Sequence, residues 1–352
     1  MTVSTLDDGP RPDARQVHRA VAALLAGGLV GMPTETVYGL AADADQPAAV
    51  AAIFDAKGRP RGHPLILHVA DAAAASAWAR QVGPAARTLM DRFWPGPLTL
   101  VLPRAPRAAD VVTGGQDSVG LRCPSHPWAR ELLLAYARER GDASIALAAP
   151  SANRYGCVSP TRAEHVRADL GEKPQGRVDL ILDGGPCMLG IESTIVDCTG
   201  ATPRILRPGS ISSAALGAAL GAPVAIAGDA EIAPRASGRV AGHYAPRTPL
   251  DLVAPAELLD HCERLAPLRM GVLAPTPLLQ RLHDAPAGRT VIALDAPGDA
   301  HRYAQALYAC LRQLDDSAVA RLVIALPPTG PDWDGINDRL RRAALGSQQR
   351  AG

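Results

Sequence analysis

Residues 28–69 constrain the fold of this chain more than any other stretch. The apolar run 29–32 predicts a buried strand that ends in a polar loop at Pro33. A helix is predicted from Pro47, because proline suits the first helical turn, and it stops at Gly58. A second short strand follows at residues 65–69. This strand–loop–helix–loop–strand order is typical of an α/β protein.

The loops and ends of these elements carry five chemically useful side chains, Thr36, Lys57, Arg59, His63 and His68. Polar residues at strand and helix ends are where an α/β protein usually binds its ligand. Lys57 is one of only two lysines in the chain. Taken alone it is better explained as a solvated cation at a helix C-terminus. Its neighbours favour a binding site instead.

Further hydroxyls and cations are predicted at later strand ends: Ser118, Arg122, Ser151, Ser159, Ser193 and Arg207. The combined inventory is rich in hydroxyls and cations, poor in carboxylates, and has no convincing Ser-His-Asp order. Such a site suits the alignment of anionic groups and the stabilisation of their charge. Each residue also has a structural alternative, since a lone histidine often lies in a core and serines often cap turns.

Composition limits the possible functions. A chain of 352 residues is long enough for two domains, and a net charge of +1 provides no global basic field for nucleic acid. The six cysteines form no CxxC pair, so we expect reduced thiols in a cytoplasmic protein. No run approaches the roughly 20 apolar residues of a membrane span.

The pattern along the chain predicts two α/β domains. Residues 1–12 are expected to be a disordered lead, 13–220 a catalytic domain built on a twisted mixed sheet, and 221–249 an Ala/Gly/Pro-rich linker. Residues 250–346 alternate strand and helix four times, which predicts a smaller Rossmann-like parallel domain without a phosphate-binding glycine motif.

Several local predictions can be compared with a structure. The pattern predicts a helix over 80–93, a capping box formed by Thr161 and Glu164, and a strand over 191–197. The arginines of the closing helix, 335–345, are expected to form a solvated face, with a basic surface for tRNA or a partner as the alternative.

Ordered sequence blocks carry a family resemblance. PTETVYGL (33–40), KGRP (57–60) and PLILHV (64–69) are followed by SVGLR (118–122), APSAN (149–153), SPT (159–161), ESTIV (192–196) and LRPG (206–209). Together they resemble the signature of the YrdC-like threonylcarbamoyl-AMP synthases, over about residues 15–212. From residue 236 onward the chain is more weakly similar to the two-domain members of that family.

The resemblance implies a nucleotidyltransferase. Such an enzyme uses L-threonine, bicarbonate and ATP to make threonylcarbamoyl-AMP and pyrophosphate, for N6-threonylcarbamoyladenosine in tRNA. Mg²⁺ would arrive with ATP, without protein metal ligands and without an organic cofactor. The product would pass to the downstream tRNA threonylcarbamoyl transferase machinery, so any RNA contact of this chain would be weak.

The resemblance also implies residue roles. Lys57 and Arg59 would be catalytic and would face the phosphates. Nucleotide binding is implied for Lys57, Arg59, His63, Ser118, Ser151, Ser159, Arg207 and Tyr244. Threonine binding is implied for Thr36, His68, Arg122 and Ser193, with Arg122 holding the threonine carboxylate in a two-pronged contact.

The linker contains His243-Tyr244-Ala245-Pro246, which resembles an element that folds over the cavity in two-domain members. The Lys and Arg that often precede it in the family are absent here, and Arg235 and Arg239 are the candidates to replace them. We expect a lid that brings Tyr244 to the nucleotide, and the alternative is a solvated tether.

Two other classes of function compete with the synthase. An RNA-binding module would need basic charge and stacking aromatics, and only 3% of the residues are aromatic. A carbamoyltransferase is the second alternative, because a similar domain occurs in hydrogenase-maturation proteins. Those proteins also carry acylphosphatase and zinc-finger segments, and neither pattern is visible in this sequence.

Overall fold

A computed structural model describes residues 11–228, 233–238, 242–284 and 290–351. Residues 1–10 of the expected lead, residues 229–232 of the expected linker, and Arg239 lie outside the described residues.

The described residues form both helices and strands. The α-helices are α1 (Ala14–Leu25), α2 (Pro47–Lys57), α3 (Ala72–Ala75), α4 (Pro84–Phe93), α5 (Asp110–Thr113), α6 (Pro127–Arg140), α7 (Ala163–Leu170), α8 (Ser213–Leu220), α9 (Leu258–Arg264), α10 (Thr276–His283), α11 (Ala300–Asp315) and α12 (Asp334–Ala351). The strands are β1 (Val30–Met32), β2 (Gly39–Asp43), β3 (Ile66–Val69), β4 (Leu98–Pro103), β5 (Ser118–Arg122), β6 (Ala146–Ala148), β7 (Leu180–Ile181), β8 (Thr194–Asp197), β9 (Arg204–Arg207), β10 (Leu250–Val253), β11 (Met270–Ala274), β12 (Val291–Asp295) and β13 (Arg321–Ala325).

The first sheet has nine strands in the order β7-β1-β2-β6-β3-β5-β4-β8-β9. It is mixed, because β3 runs parallel to β5 and β4 parallel to β8, whereas β4 and β5 are antiparallel. The predicted mixed α/β sheet is confirmed. The register pairs His68 with Arg122 and so brings two predicted site residues side by side.

The second sheet has four strands in the order β10-β13-β11-β12, and all three pairings are parallel. The predicted parallel α/β fold of the second half is confirmed. Helices α11 and α12 cover part of this sheet and also reach the first. One apolar cluster joins Leu307 and Leu340 of these helices to Val158 and Ile191 of the first half. The two sheets therefore share a buried interface.

Local sequence signals explain where two of the helices begin or end. The Asp13 side chain caps α1, accepting a hydrogen bond from the backbone N–H of Arg15 at 2.7 Å. Helix α2 begins at Pro47 and ends at Gly58, whose φ of 63° is left-handed. That turn redirects the chain and sends Arg59 inward.

Three local predictions were wrong in detail. The helix predicted from residue 80 begins at Pro84, because proline favours the first turn. The capping box is absent: α7 begins after Arg162, and the Thr161 N–H instead donates to His165 Nδ1 at 3.2 Å. The strand predicted from residue 191 begins at Thr194.

Strand β2 was missed altogether. Its sequence, Gly-Leu-Ala-Ala-Asp, has little β-propensity, and its pairing with β1 and β6 decides its conformation.

Candidate functional site

A cavity of about 530 Å³, counting its open mouth, lies at one side of the first sheet. Eight of the predicted site residues line it: Thr36, Arg59, His68, Arg122, Ser151, Ser193, Arg207 and Tyr244. They come from segments far apart in the sequence. The fold therefore brings hydroxyls, cations and an imidazole to one place, as predicted from strand ends.

The floor of the cavity is an ion pair with a hydroxyl beside it. Arg122, at the end of β5, contacts Glu35 Oε1 with its Nη2 at 2.7 Å and donates from Nη1 to Thr36 Oγ1 at 2.8 Å. The Arg122 and Glu35 side chains are 5% and 6% exposed. Because the pair is buried, removing either partner would leave an uncompensated charge. The floor therefore carries a preformed ion pair.

His68 lies beside Arg122 on β3 and is also buried. Burial, reinforced by the positive charge of Arg122, lowers the pKa of His68 to about 3. The imidazole is therefore neutral, and its Nδ1 has no hydrogen-bond partner in the described part of the chain. A neutral ring with a free nitrogen can bind a hydroxyl or an amine of a ligand.

Arg207, at the end of β9, forms one wall. Its Nη2 donates to the Ser193 carbonyl at 2.8 Å and its Nη1 donates to the Ser237 carbonyl at 2.9 Å. The Ser193 and Thr99 hydroxyl oxygens lie 2.8 Å apart. These bonds hold Ser193 and the guanidinium together at the cavity edge. They also join the first sheet to the linker.

Arg59 enters the cavity from the turn after α2. Its Nη2 donates to the Pro64 carbonyl at 2.9 Å and to Ser237 Oγ at 3.2 Å. Burial lowers the pKa of Arg59 to about 10, so it remains a cation at neutral pH. Arg59 and Arg207 thus meet at the same linker residue, Ser237.

Lys57 lies behind the cavity wall. Its Nζ donates to the Ser151 carbonyl at 2.5 Å and to the Asn153 carbonyl at 2.6 Å. Burial, with the charge of Arg59 as a further cause, lowers the pKa of Lys57 to about 7. In this structure it fixes the loop that carries Ser151.

Linker residues close the cavity from the opposite side, and Ser237, Gly238, His243 and Tyr244 all line it. Tyr244 is a buried residue with a positive φ of 62°. Its ring stacks on Tyr308 of α11, with 5.9 Å between the centroids. The Tyr244 hydroxyl has no hydrogen-bond partner in the described residues. A ring fixed by packing thus presents a free hydroxyl.

Three further predicted residues lie outside the cavity lining. His63 is half-buried against Tyr155, edge to face, with 5.4 Å between ring centroids. Ser118 lines a neighbouring hollow together with Arg235. Ser159 is buried, and its Oγ donates to Glu192 Oε1 at 2.6 Å.

Sequence reasoning overlooked several residues at this site. Glu192 and Ser237 line the cavity without having been singled out, although Glu192 belongs to the quoted block ESTIV. Arg339 was expected on a solvated helix face, and this was wrong. It is fully buried, because α12 packs that side against the first half of the chain. No local pattern distinguishes Arg339 from the exposed Arg341 two residues later.

Two features are absent from the part of the chain that the structure describes. No three His, Cys, Asp or Glu side chains are grouped so that they could hold a metal ion. Within the same residues, no helix has the length and apolar character needed to cross a membrane.

Two family models match the chain. The model named Sua5_yciO_yrdC, described as "Telomere recombination", matches residues 22–209. The model described as "Threonylcarbamoyl-AMP synthase, C-terminal domain" matches residues 211–345. The cavity floor and Arg207 fall within the first match, and Tyr244, Tyr308 and Arg339 within the second.

Whole-chain comparisons agree with these matches. The threonylcarbamoyl-AMP synthase of Bacillus subtilis is 39% identical over 94% of this chain and 93% of its own length. The crystal structure of Pyrococcus abyssi Sua5 in complex with L-threonine superposes with a TM-score of 0.83. It is 31% identical and covers 96% of both chains. A variant of that protein, with an adjacent His and Tyr both replaced by Ala, superposes with a TM-score of 0.84 at 30% identity. That alignment covers 96% of this chain and 95% of the variant.

The fold and site thus define an α/β protein with a cationic, hydroxyl-lined cavity in its larger sheet and a second parallel sheet packed beside it. The chain belongs to the Sua5/YciO/YrdC family, in its two-domain form.

Proposed function

We propose that this chain is a threonylcarbamoyl-AMP synthase, which forms threonylcarbamoyl-AMP and pyrophosphate from L-threonine, bicarbonate and ATP. The observation that carries the proposal is the convergence of Arg59, Arg122 and Arg207 with Thr36 and Ser193 on one cavity. Several negatively charged reactants must meet in this reaction, and cations with hydroxyl donors are the groups that align them. The name of the Bacillus subtilis relative supports the same activity.

The floor of the cavity is the proposed site for L-threonine. Arg122 would bind the threonine carboxylate, while Thr36, His68 and Ser193 would contact its amine and hydroxyl. Glu35 holds the Arg122 guanidinium in place before any ligand arrives. The Pyrococcus abyssi relative, solved with L-threonine, supports an amino-acid site in this fold.

The linker side is the proposed site for ATP. Arg59 and Arg207 would face the phosphates, and the free hydroxyl of Tyr244 and the Ser151 loop would contact the nucleotide. His63, Ser118 and Ser159 remain predicted nucleotide contacts, and none of them lines the cavity. Lys57 remains a predicted catalytic residue. To reach a phosphate, its ammonium would have to leave the carbonyls of Ser151 and Asn153.

The proposed chemistry needs alignment and charge stabilisation. The threonine amine attacks CO₂ derived from bicarbonate, loses a proton and becomes a carbamate. A carbamate oxygen then attacks the α-phosphorus of ATP, the bond to the β-phosphate bridge breaks, and pyrophosphate leaves. Negative charge builds on the transferred and departing phosphates, where fixed cations lower the barrier. Arg59 and Arg207 are positioned to supply that charge.

Mg²⁺ belongs to the proposal as a companion of ATP. When bound, it would neutralise phosphate charge with oxygen ligands from the triphosphate and water. The cavity chemistry fits this role, because both nearby carboxylates are engaged: Glu35 pairs with Arg122, and Glu192 pairs with Arg339. The cations on the cavity walls would bind the phosphate oxygens that the metal leaves free.

The proposal also includes the domain organisation, the location and the partner of the chain. We keep the domain division at 13–220, 221–249 and 250–346, a cytoplasmic location, and delivery of the product to a tRNA-modifying partner. The lid role of the linker is supported by the contacts of Ser237 with Arg59 and Arg207 at the cavity mouth.

Pyrophosphate release by the purified chain tests the function. We expect release only when ATP, Mg²⁺, L-threonine and bicarbonate are all present, with a product that contains both AMP and the carbamoylated amino acid. Equal release without the amino acid would contradict the proposal. Salt-dependent RNA binding without pyrophosphate release would favour the RNA-binding alternative. Use of carbamoyl phosphate in place of bicarbonate would favour the carbamoyltransferase.

A further inference from the structure

A carboxylate in the cavity wall is held by both halves of the chain. Glu192 immediately precedes Ser193 and lines the cavity. Its Oε1 accepts a hydrogen bond from Ser159 Oγ at 2.6 Å. Its Oε2 accepts one from Tyr308 Oη at 3.0 Å and lies 2.7 Å from Arg339 Nε. Tyr308 and Arg339 belong to α11 and α12, which follow strands of the second sheet.

Arg339 connects three parts of the site. Besides Glu192, its Nη1 donates to the Pro208 carbonyl at 2.9 Å, directly after Arg207. The same Nη1 lies 2.7 Å from Asp338 Oδ2, and that carboxylate has a second cation, Arg342, 2.9 Å from its Oδ1. Its guanidinium carbon lies 5.1 Å from the centre of the Tyr244 ring. The Arg339 side chain is 0% exposed, so its charge acts through a low-dielectric interior. One guanidinium therefore contacts the segment before β8, the segment after β9, and the linker.

The charge of Glu192 is unfavourable for the proposed ligands. A carboxylate in this wall would repel phosphates and would offset the positive charge of Arg207. Burial alone would raise the pKa of Glu192, but the charges of Arg339 and Arg207 and the hydrogen bonds from Ser159 and Arg339 hold it at about 2. Glu192 is therefore ionised at neutral pH and needs a counter-ion.

We propose that Arg339 is that counter-ion, a positioning residue from the second half of the chain that compensates Glu192 and so leaves Arg59 and Arg207 free to attract the nucleotide phosphates. Arg339 acts through Glu192 and Tyr244 and does not touch the reactants. The identity of the anion as ATP rests on the proposed function. The compensation itself depends only on the buried contacts of Glu192.

The variants R339M and E192Q, singly and combined, distinguish charge compensation by Arg339 from a role in packing alone. We expect R339M to weaken the binding of Mg²⁺–ATP, measured by calorimetry, by about tenfold or more, because an uncompensated charge then faces the phosphates. In the E192Q background that charge is gone, so R339M should weaken binding by less than about threefold relative to E192Q alone. An equal loss in both backgrounds would overturn the proposal.

The pH dependence gives a readout that packing would not change. Glu192 faces Ser159, Tyr308, Arg339 and Arg207, with the neutral His243 and Tyr244 close by. Without Arg339 the pKa of Glu192 rises, so protonation should restore ATP affinity to R339M as the pH falls from about 8 to about 5.5. The double variant E192Q/R339M serves as the reference and should show no such recovery. Parallel pH profiles for the two variants would contradict the charge mechanism.

A matched control addresses docking of the two halves. Arg312 of α11 also crosses the interface: its Nη2 lies 2.6 Å from Asp169 Oδ2 and its Nε donates to the Ser159 carbonyl at 3.4 Å. It makes no direct contact with the Glu192 carboxylate, so its removal takes no counter-charge from Glu192. R312M tests whether loosening the interface weakens ATP binding. Any loss it causes should be the same with Glu192 or Gln at position 192. Rescue of R312M by E192Q would assign the effect to docking and overturn the proposal.

A charge-retaining variant keeps the proposal testable if R339M does not fold. R339K preserves the positive charge but loses the planar fork of the guanidinium, so it should bind ATP more tightly than R339M. A tenfold loss in R339K, with an unchanged melting temperature, would overturn the proposal. Because binding is measured without turnover, a failure of this inference is distinct from the absence of pyrophosphate release.

Discussion

The floor and the linker side of the cavity are built in different ways. On the floor, Arg122 and His68 lie on neighbouring strands whose backbone register fixes their spacing. On the linker side, Ser237 and Tyr244 are held by side-chain contacts with Arg59, Arg207 and helix α11. A sheet ladder preorganises its side chains, whereas loop contacts can separate and re-form. We infer that the floor is set for the amino acid before binding, and that the nucleotide side depends on the second half of the chain.

The largest effect should come from the floor. R122M removes the cation proposed to bind the threonine carboxylate and leaves Glu35 buried and unpaired. We expect kcat/KM for L-threonine to fall by about 100-fold or more, with a lower melting temperature. The double variant E35Q/R122M should regain stability but not activity.

R104M is the control for that experiment. Arg104 follows β4 on the same sheet, pairs with Asp110 away from the cavity, and should have little effect on the KM for L-threonine. Recovery of full activity by E35Q/R122M would contradict the proposal that Arg122 binds the threonine carboxylate.

The next largest effect should come from the wall that joins the two regions. R207M removes a cavity cation together with its bonds to the Ser193 and Ser237 carbonyls. We expect the KM for ATP to rise by about 10- to 100-fold, with a smaller change in the KM for L-threonine. R204M is the control, since Arg204 lies at the other end of β9 and pairs with Asp197. If R207M raised the KM for ATP and the KM for L-threonine equally, the proposal of two separate sites would be contradicted.

A smaller effect should follow from displacing the linker without removing any charge. Gly238 has a φ of 81°, and a Cβ there would lie 2.1 Å from the Tyr244 hydroxyl oxygen. G238A should therefore raise the KM for ATP several-fold by moving the linker. G141A is the matched control, because Gly141 also has a positive φ, of 63°, but an added Cβ there would meet open space. G141A should cost about 1 kcal/mol of stability and leave the KM unchanged.

The smallest effect should be the contribution of Lys57 to the pH dependence of the chain's stability. Its pKa in the folded state is about 7, against an ordinary value of 10.5, so the unfolded chain binds the extra proton between these values. The free energy of unfolding of the unmodified chain should therefore rise with pH through this window, relative to K57M. The melting temperature of K57M, relative to that of the unmodified chain, should be highest below about pH 7 and should fall as the pH rises to about 9.5.

K173M is the control for that comparison. Lys173 is exposed and pairs with Asp179, so its substitution should give no comparable trend. A melting-temperature difference for K57M that stays constant with pH would contradict the burial cost assigned to Lys57.

The same contrast explains what the sequence could predict. Thr36, His68 and Arg122 of the floor, and Ser193 at the cavity edge, belong to compact sequence blocks in or beside strands, and all four line the cavity. The mixed sheet and the parallel second sheet also followed from local patterns. Local patterns failed at β2, where pairing with its neighbours overrides weak propensity.

Contacts across the interface could not be predicted from local patterns. Glu192 and Arg339 are 147 residues apart in the sequence, and their pairing depends on how α12 docks. The contacts of Ser237 and the burial of Tyr244 depend equally on long-range packing. Neither segment contains a periodicity or a motif that would reveal which distant residues it contacts.

A structure of the chain with L-threonine, Mg²⁺ and a non-hydrolysable ATP analogue would show whether one cavity binds both the amino acid and the nucleotide. We expect the threonine carboxylate on Arg122 and Thr36, and the phosphates between Arg59 and Arg207, within the one cavity. Threonine or nucleotide bound elsewhere, with this cavity empty, would contradict this expectation.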